Sequence, residues 1–475
     1  MKQLYPYQKE AYNDCKDFLF SNKTKDSGVA VLPTGAGKSV ILAHLSLLAS
    51  VNDPILFVVP SIDLLRQNAD AIRNEGADVS IYCGSINKRD ISTITVATIM
   101  SLNSDMEAFK NAGIKKVIID ECHYKASEEG MFKEFIDFIK PDKLLGLTAT
   151  AFKLKTYKGF QVLRTLDKIK PVIFKRFIHI TQVETVIKND RWSEVKYMYY
   201  KYNKKGLIVN SSGNNYTEES IVENNKQNNV NKNICLLLNK ISNEKIDAKK
   251  IKILLFTDSV DTAKIIHEWV NKKLKIKSVL VTAETNPKDR ANFVEQFKDT
   301  NSDINLLINY GTYTTGFDFP ELTHVMLGRP TMSFTSYYQI IGRLVRKHAN
   351  KKYGVFIDFC GNYERFGNIE DINYVHIDGY GMCVLSNDKV TTSIPLECIG
   401  RFTYNDIVNP PPLHKTNKEI KLSFGKYKDK PLSQIPYFYI NFLLDDFQWI
   451  VNDKNNEIID ELKKVKENTI LKFLR

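Results

Sequence analysis

Short apolar runs recur along this chain, each broken by a polar or glycine-bearing turn and followed by a stretch with helical spacing. Leu4, Tyr7, Ala11, Cys15, Phe18 and Leu19 fall at helical intervals, which predicts an amphipathic helix ahead of the first run. The runs at 29–32, 55–59, 94–100, 116–120 and 143–148 are continuous rather than alternating, the pattern of strands covered on both faces. Strand, turn and helix in repetition predict a parallel α/β sheet. A second array of the same kind begins near residue 251, with apolar runs at 252–256, 279–282, 304–309, 324–327 and 353–359. Between the arrays, 176–180 reads as a strand followed by a helix, and VKYMYYKYN (195–203) alternates aromatic and basic residues. That alternation suits a half-buried strand with a solvated face, or a ribbon that touches nucleic acid. Asn-rich turns follow, and ICLLLNKI (234–241) predicts a helix entering the second array. IVNPPPLHKT (407–416) carries three prolines and predicts a stiff linker. A short, separate unit and an amphipathic last helix complete the chain.

The expected layout is a first α/β domain at 1–152, a connection at 153–225, a second α/β domain at 226–405, a linker at 406–419 and a small α/β or α module at 420–475. Usage is ordinary for globular domains, with 43% hydrophobic and 26% charged among 475 residues. The formal charge of +12 favours a polyanionic partner without identifying it. The seven cysteines form no CxxC pair and no zinc-like spacing with histidine, so free thiols in a reducing, cytoplasmic setting are expected. No apolar run reaches membrane-spanning length, and MKQLYPYQKE lacks the character of a signal peptide.

The chemistry concentrates at VAVLPTGAGKS (29–39), an apolar strand that breaks into Thr34, Gly35, Ala36 and Gly37, then Lys38 and Ser39 and a helix. Glycines there let backbone N–H groups converge on an anion at a helix N-terminus. Lys38 suits the β/γ-phosphates of a nucleotide and the Ser39 hydroxyl suits Mg²⁺. Leu32 stands where the usual pattern has its first glycine. Asp120 closes a buried strand and would hold Mg²⁺ through water, with Glu121 polarising the attacking water. Gln8 could pair with the edge of adenine, with Tyr5 or Tyr7 stacking on the base. In QIIGRLVR (339–346), Gln339, Arg343 and Arg346 fall on one helical face, where two guanidiniums can neutralise charge on a transferred phosphoryl group.

Gln8, the loop at 32–39, DECH at 120–123, TAT at 148–150 and the Q-x-x-G-R-x-x-R at 339–346 resemble the motifs of superfamily 2 helicases over roughly residues 1–370. The small Lys/Asn-rich chain and its tail are most similar to phage recombination and branch-migration helicases, those of T5-like phages in particular. The resemblance implies two RecA-like domains with ATP and Mg²⁺ between them, His123, Thr148 and Thr150 coupling hydrolysis to domain movement, and Gly316 and Asp318 on the nucleotide side. It implies nucleic-acid contacts from Pro60, Ser61, Arg66, Gln67, Thr98, Ser101, Thr257, Thr314 and Thr315. Two departures are Tyr5 in the place of an arginine and Ser39 in the place of threonine. FGKYKDKPLSQIP (424–436) resembles a module appended to some exonucleases and phage proteins, in which Lys426 and Lys428 would grip DNA. The expectation is a monomeric, phage-encoded, ATP-driven DNA motor acting on strands or junctions in the host cytoplasm. An RNA helicase and a DNA clamp that uses ATP only as a switch are the alternatives; a nuclease lacks a PD-x-x-K-like cluster.

Overall fold

In the computed structural model, the described residues are 3–21, 25–124, 130–157, 160–243, 251–299, 301–311, 319–378 and 380–408, with short pieces between 421 and 465. The first apolar runs become β1 (Asp26–Val31), β2 (Ile55–Val59), β3 (Ser80–Cys83), β4 (Lys88–Arg89), β5 (Ile94–Thr98), β6 (Lys116–Asp120) and β7 (Lys143–Thr148). After a hairpin of β8 (Phe152–Tyr157) and β9 (Phe160–Thr165) comes β10 (Arg176–Ile180). The first sheet runs β10-β1-β7-β6-β2-β5-β3-β4 and is parallel except for the β3–β4 edge. Its central strands are buried along their length, as their unbroken apolar runs require. Helices α1 (Pro6–Phe20), α2 (Lys38–Ser46) and α3 (Ile62–Asn74) cover it, and α1 buries Tyr7, Ala11, Cys15, Phe18 and Leu19.

The second sheet takes β11 (Glu194–Tyr199), β12 (Ile253–Phe256), β13 (Lys277–Val281), β14 (Ile304–Asn309), β15 (His324–Leu327) and β16 (Tyr353–Asp358) in the order β11-β16-β15-β12-β14-β13. Every pairing in it is parallel. The expected α/β class with two parallel sheets is therefore present.

Residues 153–225 do not all stand apart from the sheets: besides a separate hairpin they give each large sheet one edge strand. β10 pairs with β1 and β11 pairs with β16, each satisfying a ladder edge that would otherwise be open. The Tyr/Lys alternation of 195–203 is thus an edge strand, with Val195 buried and Tyr199 exposed. A third sheet, β17 (Ile372–Ile377), β18 (Gly381–Ser386) and β19 (Lys389–Val390), is antiparallel and has its own core around Cys383, Ile394 and Cys398. It docks back on the hairpin, where Ser393 N–H donates to the Leu163 carbonyl at 2.7 Å and Lys168 Nζ to the Met382 carbonyl at 2.8 Å. The prolines of the expected linker lie outside the described residues. Beyond them Leu422, Leu432, Ile435, Ile440, Leu443 and Leu462 form a small cluster of their own.

One strand position is set by close approach. A methyl group at Gly146 in β7 would fall 2.7 Å from Cys122 Sγ and 2.8 Å from the Phe174 ring. Gly146→Ala is expected to destabilise the protein by about 1–3 kcal/mol, read as a lower urea midpoint at unchanged m-value.

A candidate nucleotide cleft between the two sheets

The phosphate loop leaves β1 and is tied at once to the neighbouring strand, Leu32 N–H donating to the Thr148 carbonyl at 2.9 Å. Gly35 and Gly37 take φ of +76° and +92°, which only glycine adopts without strain. At Gly37 there is also no room, since a Cβ would lie 2.3 Å from Gln8 Nε2. Gln8 braces this turn: Nε2 donates to the Ala36 carbonyl at 2.8 Å, and Oε1 accepts from Tyr5 N–H at 3.0 Å. The amide expected at the edge of adenine is thus occupied by the loop and by its own helix start. Tyr7 Oη donates to the same Ala36 carbonyl at 3.1 Å. Tyr5 stacks near Tyr7 and stays partly exposed.

Lys38 opens α2 and reaches Glu121 Oε1 at 2.6 Å. Asp120, at the end of β6, accepts from Asn68 Nδ2 at 3.0 Å and from the Glu121 N–H at 2.9 Å. Burial, and then the Glu121 charge, push Asp120 above the usual carboxylate range against the pull of Lys38. Burial works on Glu121 in the same direction, but the Lys38 ammonium and the Arg343 guanidinium hold its pKa below that range. Glu121 sits at φ +50°, an uncommon conformation for a residue with a side chain.

His123 links the two sheets. Its Nδ1 lies 2.8 Å from Thr148 Oγ1 and its Nε2 lies 2.9 Å from Gln339 Nε2. Gln339 Oε1 in turn accepts from Tyr124 Oη at 3.0 Å. An amide nitrogen can only donate, so Nε2 of the histidine accepts and the proton sits on Nδ1, facing Thr148. Burial lowers the His123 pKa to about 4, in keeping with a neutral ring. Thr148 Oγ1 also accepts from the Thr150 N–H at 3.0 Å, which closes the turn of the TAT sequence.

The arginines arrive differently from expectation. The helix Phe334–Ile341 carries Gln339 but ends before Arg343, so the three residues do not share a helical face. Past Gly342 the backbone tightens into i→i+3 bonds, Leu344 N–H donating to the Ile341 carbonyl at 2.8 Å, and Arg346 is drawn into a bridge with Trp192. Arg343 and Arg346 are presented by this turn. Burial lowers both to about 10, which leaves them charged at neutral pH. Ile340, Ile341, Leu344 and Val345 are buried as their apolar character demands.

These groups line one cavity of 760 Å³. Thr34, Gly35, Gly37, Lys38, Ser39, Asp120 and Glu121 face it from the first sheet, and Gln339, Arg343 and Arg346 from beyond the second. Gln67, expected on a nucleic-acid strand, lines the cavity too and donates to Ser39 Oγ at 3.4 Å. Pro60 and Ser61 follow β2, Ser61 capping α3 through the Leu64 N–H, and Arg66 is exposed on α3. Thr98 and Ser101 are buried and share a hydrogen bond of 2.9 Å. The Thr257 hydroxyl is buried as well and donates to the Asn309 and Ser259 carbonyls. Lys428 is exposed in a turn. Thr314, Thr315, Gly316, Asp318 and Lys426 lie outside the described residues. Sequence reasoning missed Asn68, Tyr124, Arg191 and Trp192, none of which belongs to a motif-like run.

A phosphate loop and an acidic strand end facing paired arginines define a two-lobed nucleotide-binding protein. Residues 1–153 match the family described as Type III restriction enzyme, res subunit, and residues 231–348 match the Helicase conserved C-terminal domain. IRC3 of Saccharomyces cerevisiae, whose name carries the words ATP-dependent helicase, is 26% identical over 75% of this chain and 51% of its own length. The ATP-dependent DNA helicase uvsW of Enterobacteria phage T4 is 24% identical over 76% of this chain and 71% of its own. A solved DNA-bound structure of the ATP-dependent Type ISP restriction-modification enzyme LlaBIII shares the fold at a TM-score of 0.55 and 18% identity, over 76% of this chain and 28% of that one. The two family matches, one on each lobe, indicate a helicase of superfamily 2. The chain spans about half the length of the yeast relative it matches.

Because His123 falls from an ordinary 6.5 to about 4, the unfolded chain takes up a proton over that interval while the folded chain does not. Its contribution to stability is present above pH ~6.5 and is lost as pH falls toward about 4. Thermal unfolding followed against pH should show Tm falling through this window, with a shallower fall in His123→Gln.

Proposed function

We propose that this protein is an ATP-dependent DNA helicase or translocase, in which ATP bound between two RecA-like lobes drives movement along a strand. The observation that carries this reading is the single cavity in which Lys38 and Glu121 of one lobe face Arg343 and Arg346 of the other. The Lys38–Glu121 pair blocks both of their expected tasks until a polyphosphate enters. Lys38 then transfers to the phosphates and Glu121 is released to orient the attacking water. Glu121 Oε2 is buried without a hydrogen bond among the described residues, 3.4 Å from His123 Nδ1, so the carboxylate turns toward the water only once Lys38 has let go of Oε1. Arg343 and Arg346 neutralise charge on the transferred phosphoryl group, and the loop N–H groups hold it in line.

The donor set suits Mg²⁺, with the Ser39 hydroxyl and the Asp120 carboxylate facing the same cavity, all hard oxygens. When bound, that ion would offset the charge of the phosphates. The His123 relay connects the phosphate side to Gln339, so a change in the cleft reaches Thr148 and Thr150. DNA as the track is supported by relatives named for DNA activities, uvsW among them. The exposed Arg66 and a cleft of 320 Å³ lined by Thr257, Asn309, Tyr310 and Arg329 at the strand ends of the second sheet supply phosphate and stacking contacts. Lys426 and Lys428 add a further grip. Branch migration, a monomeric state and a phage-encoded role in the host cytoplasm complete the proposal. No helix among the described residues is long and apolar enough to cross a membrane.

Lys38→Ala and Glu121→Gln should abolish ATP turnover while DNA binding, read by anisotropy, survives. Turnover persisting in either variant contradicts the assignment. Arg343→Ala should lower kcat by roughly 10³-fold or more with ADP affinity kept. Single-stranded DNA should stimulate turnover more than RNA of the same sequence; the reverse order assigns the protein to RNA, and neither acting leaves an ATP-switched clamp. Unwinding of forks against a Holliday junction then reads the preferred substrate.

A further inference from the structure

The chain passes from the first sheet to the second through residues 189–193, between the helix Val183–Lys188 and β11. Four consecutive residues in this short crossing touch three parts of the cleft: the arginine turn, the start of the first helix and the phosphate loop. Asp190 forms an ion pair with Lys347. Arg191 Nη1 donates to Tyr5 Oη at 3.0 Å, its guanidinium 4.7 Å from the centre of that ring. Trp192 Nε1 donates to the carbonyl of Thr34 at 2.6 Å, while its backbone bridges to Arg346. Ser193 N–H donates to the Val345 carbonyl at 2.7 Å and its hydroxyl to the Arg346 carbonyl at 3.2 Å.

We propose that Trp192 is a positioning residue for ATP hydrolysis, holding the arginine turn in register with the phosphate loop through one indole hydrogen bond and one backbone bridge. The inference rests on the proposed ATPase reading and adds to it a residue that touches neither phosphate nor metal. Its physical basis is reach. A loop carbonyl and an arginine backbone on opposite lobes are both held by one residue, the first by its indole, which is 6% exposed, and the second by its backbone. The contact with Thr34 falls at the first residue of the Gly-rich turn, where a shift of the loop moves every N–H that follows. The loop and the arginine turn also meet directly, a Cβ at Gly342 lying 3.0 Å from Thr34 Oγ1, so a small loss of register is felt on both sides. Trp192 and Ser193 together therefore decide whether Arg343 and Arg346 meet the phosphoryl group as it transfers, not whether the nucleotide binds.

The test uses the full chain and Trp192→Phe, which keeps an aromatic ring and removes the N–H donor. Expected is a fall in kcat of about tenfold, the size of one well-placed hydrogen bond, with KM for ATP and the Kd for ADP within about twofold of the parent and Tm little changed. Ser193→Ala should lower kcat in the same pattern by a smaller factor, and it decides the matter alone if Trp192→Phe does not fold. An unchanged kcat in the folded variants overturns the inference. So does a loss of ADP affinity and Tm in parallel with kcat, which would mark a purely structural role. Failure of the parent protein itself to hydrolyse ATP with DNA present sinks the wider reading instead, so the two failures are told apart.

Discussion

Charge held away from water is the constraint on which the cleft depends. Lys38, Arg343 and Arg346 meet Asp120 and Glu121 in a cleft that leaves their side chains largely buried, where each uncompensated ion costs several kcal/mol. The Lys38–Glu121 contact at 2.6 Å settles part of that cost. It leaves two guanidiniums facing one pair of carboxylates, of which Asp120 is pushed toward its neutral form by burial and by Glu121. Among the residues lining this cleft cations outweigh anions, Lys38, Arg191, Arg343, Arg346 and Lys347 against Asp120, Glu121 and Asp190. A triphosphate supplies what is missing, and the backbone N–H groups of the glycine turn add dipoles of the same sign. The positive φ of Glu121 belongs to this balance, because it turns the carboxylate back toward Lys38 at a modest conformational cost.

Around this charged set lies a neutral one, and the contrast gives direction. His123 carries no charge because it is buried, and its neighbours fix which nitrogen holds the proton. Gln339 donates, His123 accepts and donates onward, and Thr148 receives and passes its own proton toward the Thr150 carbonyl at 3.2 Å. With Gln339 Oε1 turned to the Tyr124 hydroxyl, every bond in the chain has one sense, and reversing it requires flipping the Gln339 amide, so that the amide donates to Tyr124 instead of accepting from it. Such a chain transmits position rather than charge. It joins the end of β7 to the helix Phe334–Ile341 without adding an ion to an already crowded cleft.

Much of the first lobe was legible because its determinants are local. An apolar run, a glycine turn and Lys38-Ser39 define a strand, a loop and a helix start within a dozen residues, and Asp120 follows from where a buried strand ends. The edges were not legible. Whether β10 joins β1 or stands in a separate connection depends on which ladder is open, a property of the assembled sheet and not of RFIHI itself. Arg343 and Arg346 were found as residues and misplaced as geometry. The apolar positions beside them continue a helical pattern, yet the backbone leaves the helix at Gly342 to reach Trp192. Trp192, Arg191 and Asn68 carried no signal, since a tryptophan beside a strand or an asparagine on a helix has many ordinary uses.

The lobes are joined at more than the crossing at 189–193. Ala151, next after the TAT turn, donates its N–H to Tyr374 Oη at 2.9 Å, and the Gln182 side chain brackets the Tyr374 backbone at 2.8 and 3.0 Å. Tyr374 belongs to the third sheet, which follows the second lobe in sequence but docks on elements of the first. A motion that separates Lys38 from the arginines must act on Trp192–Thr34, on Gln339 with His123 and Tyr124, and on Tyr374–Ala151, breaking each or turning about it. The Tyr374 and Trp192 contacts differ in kind. Tyr374 is packed among aromatic rings and held by three hydrogen bonds, whereas Trp192 reaches the loop by one. The weaker of the two sits at the nucleotide, so a rotation about the Tyr374 contact keeps Ala151 attached while it parts Trp192 from Thr34 and Gln339 from His123.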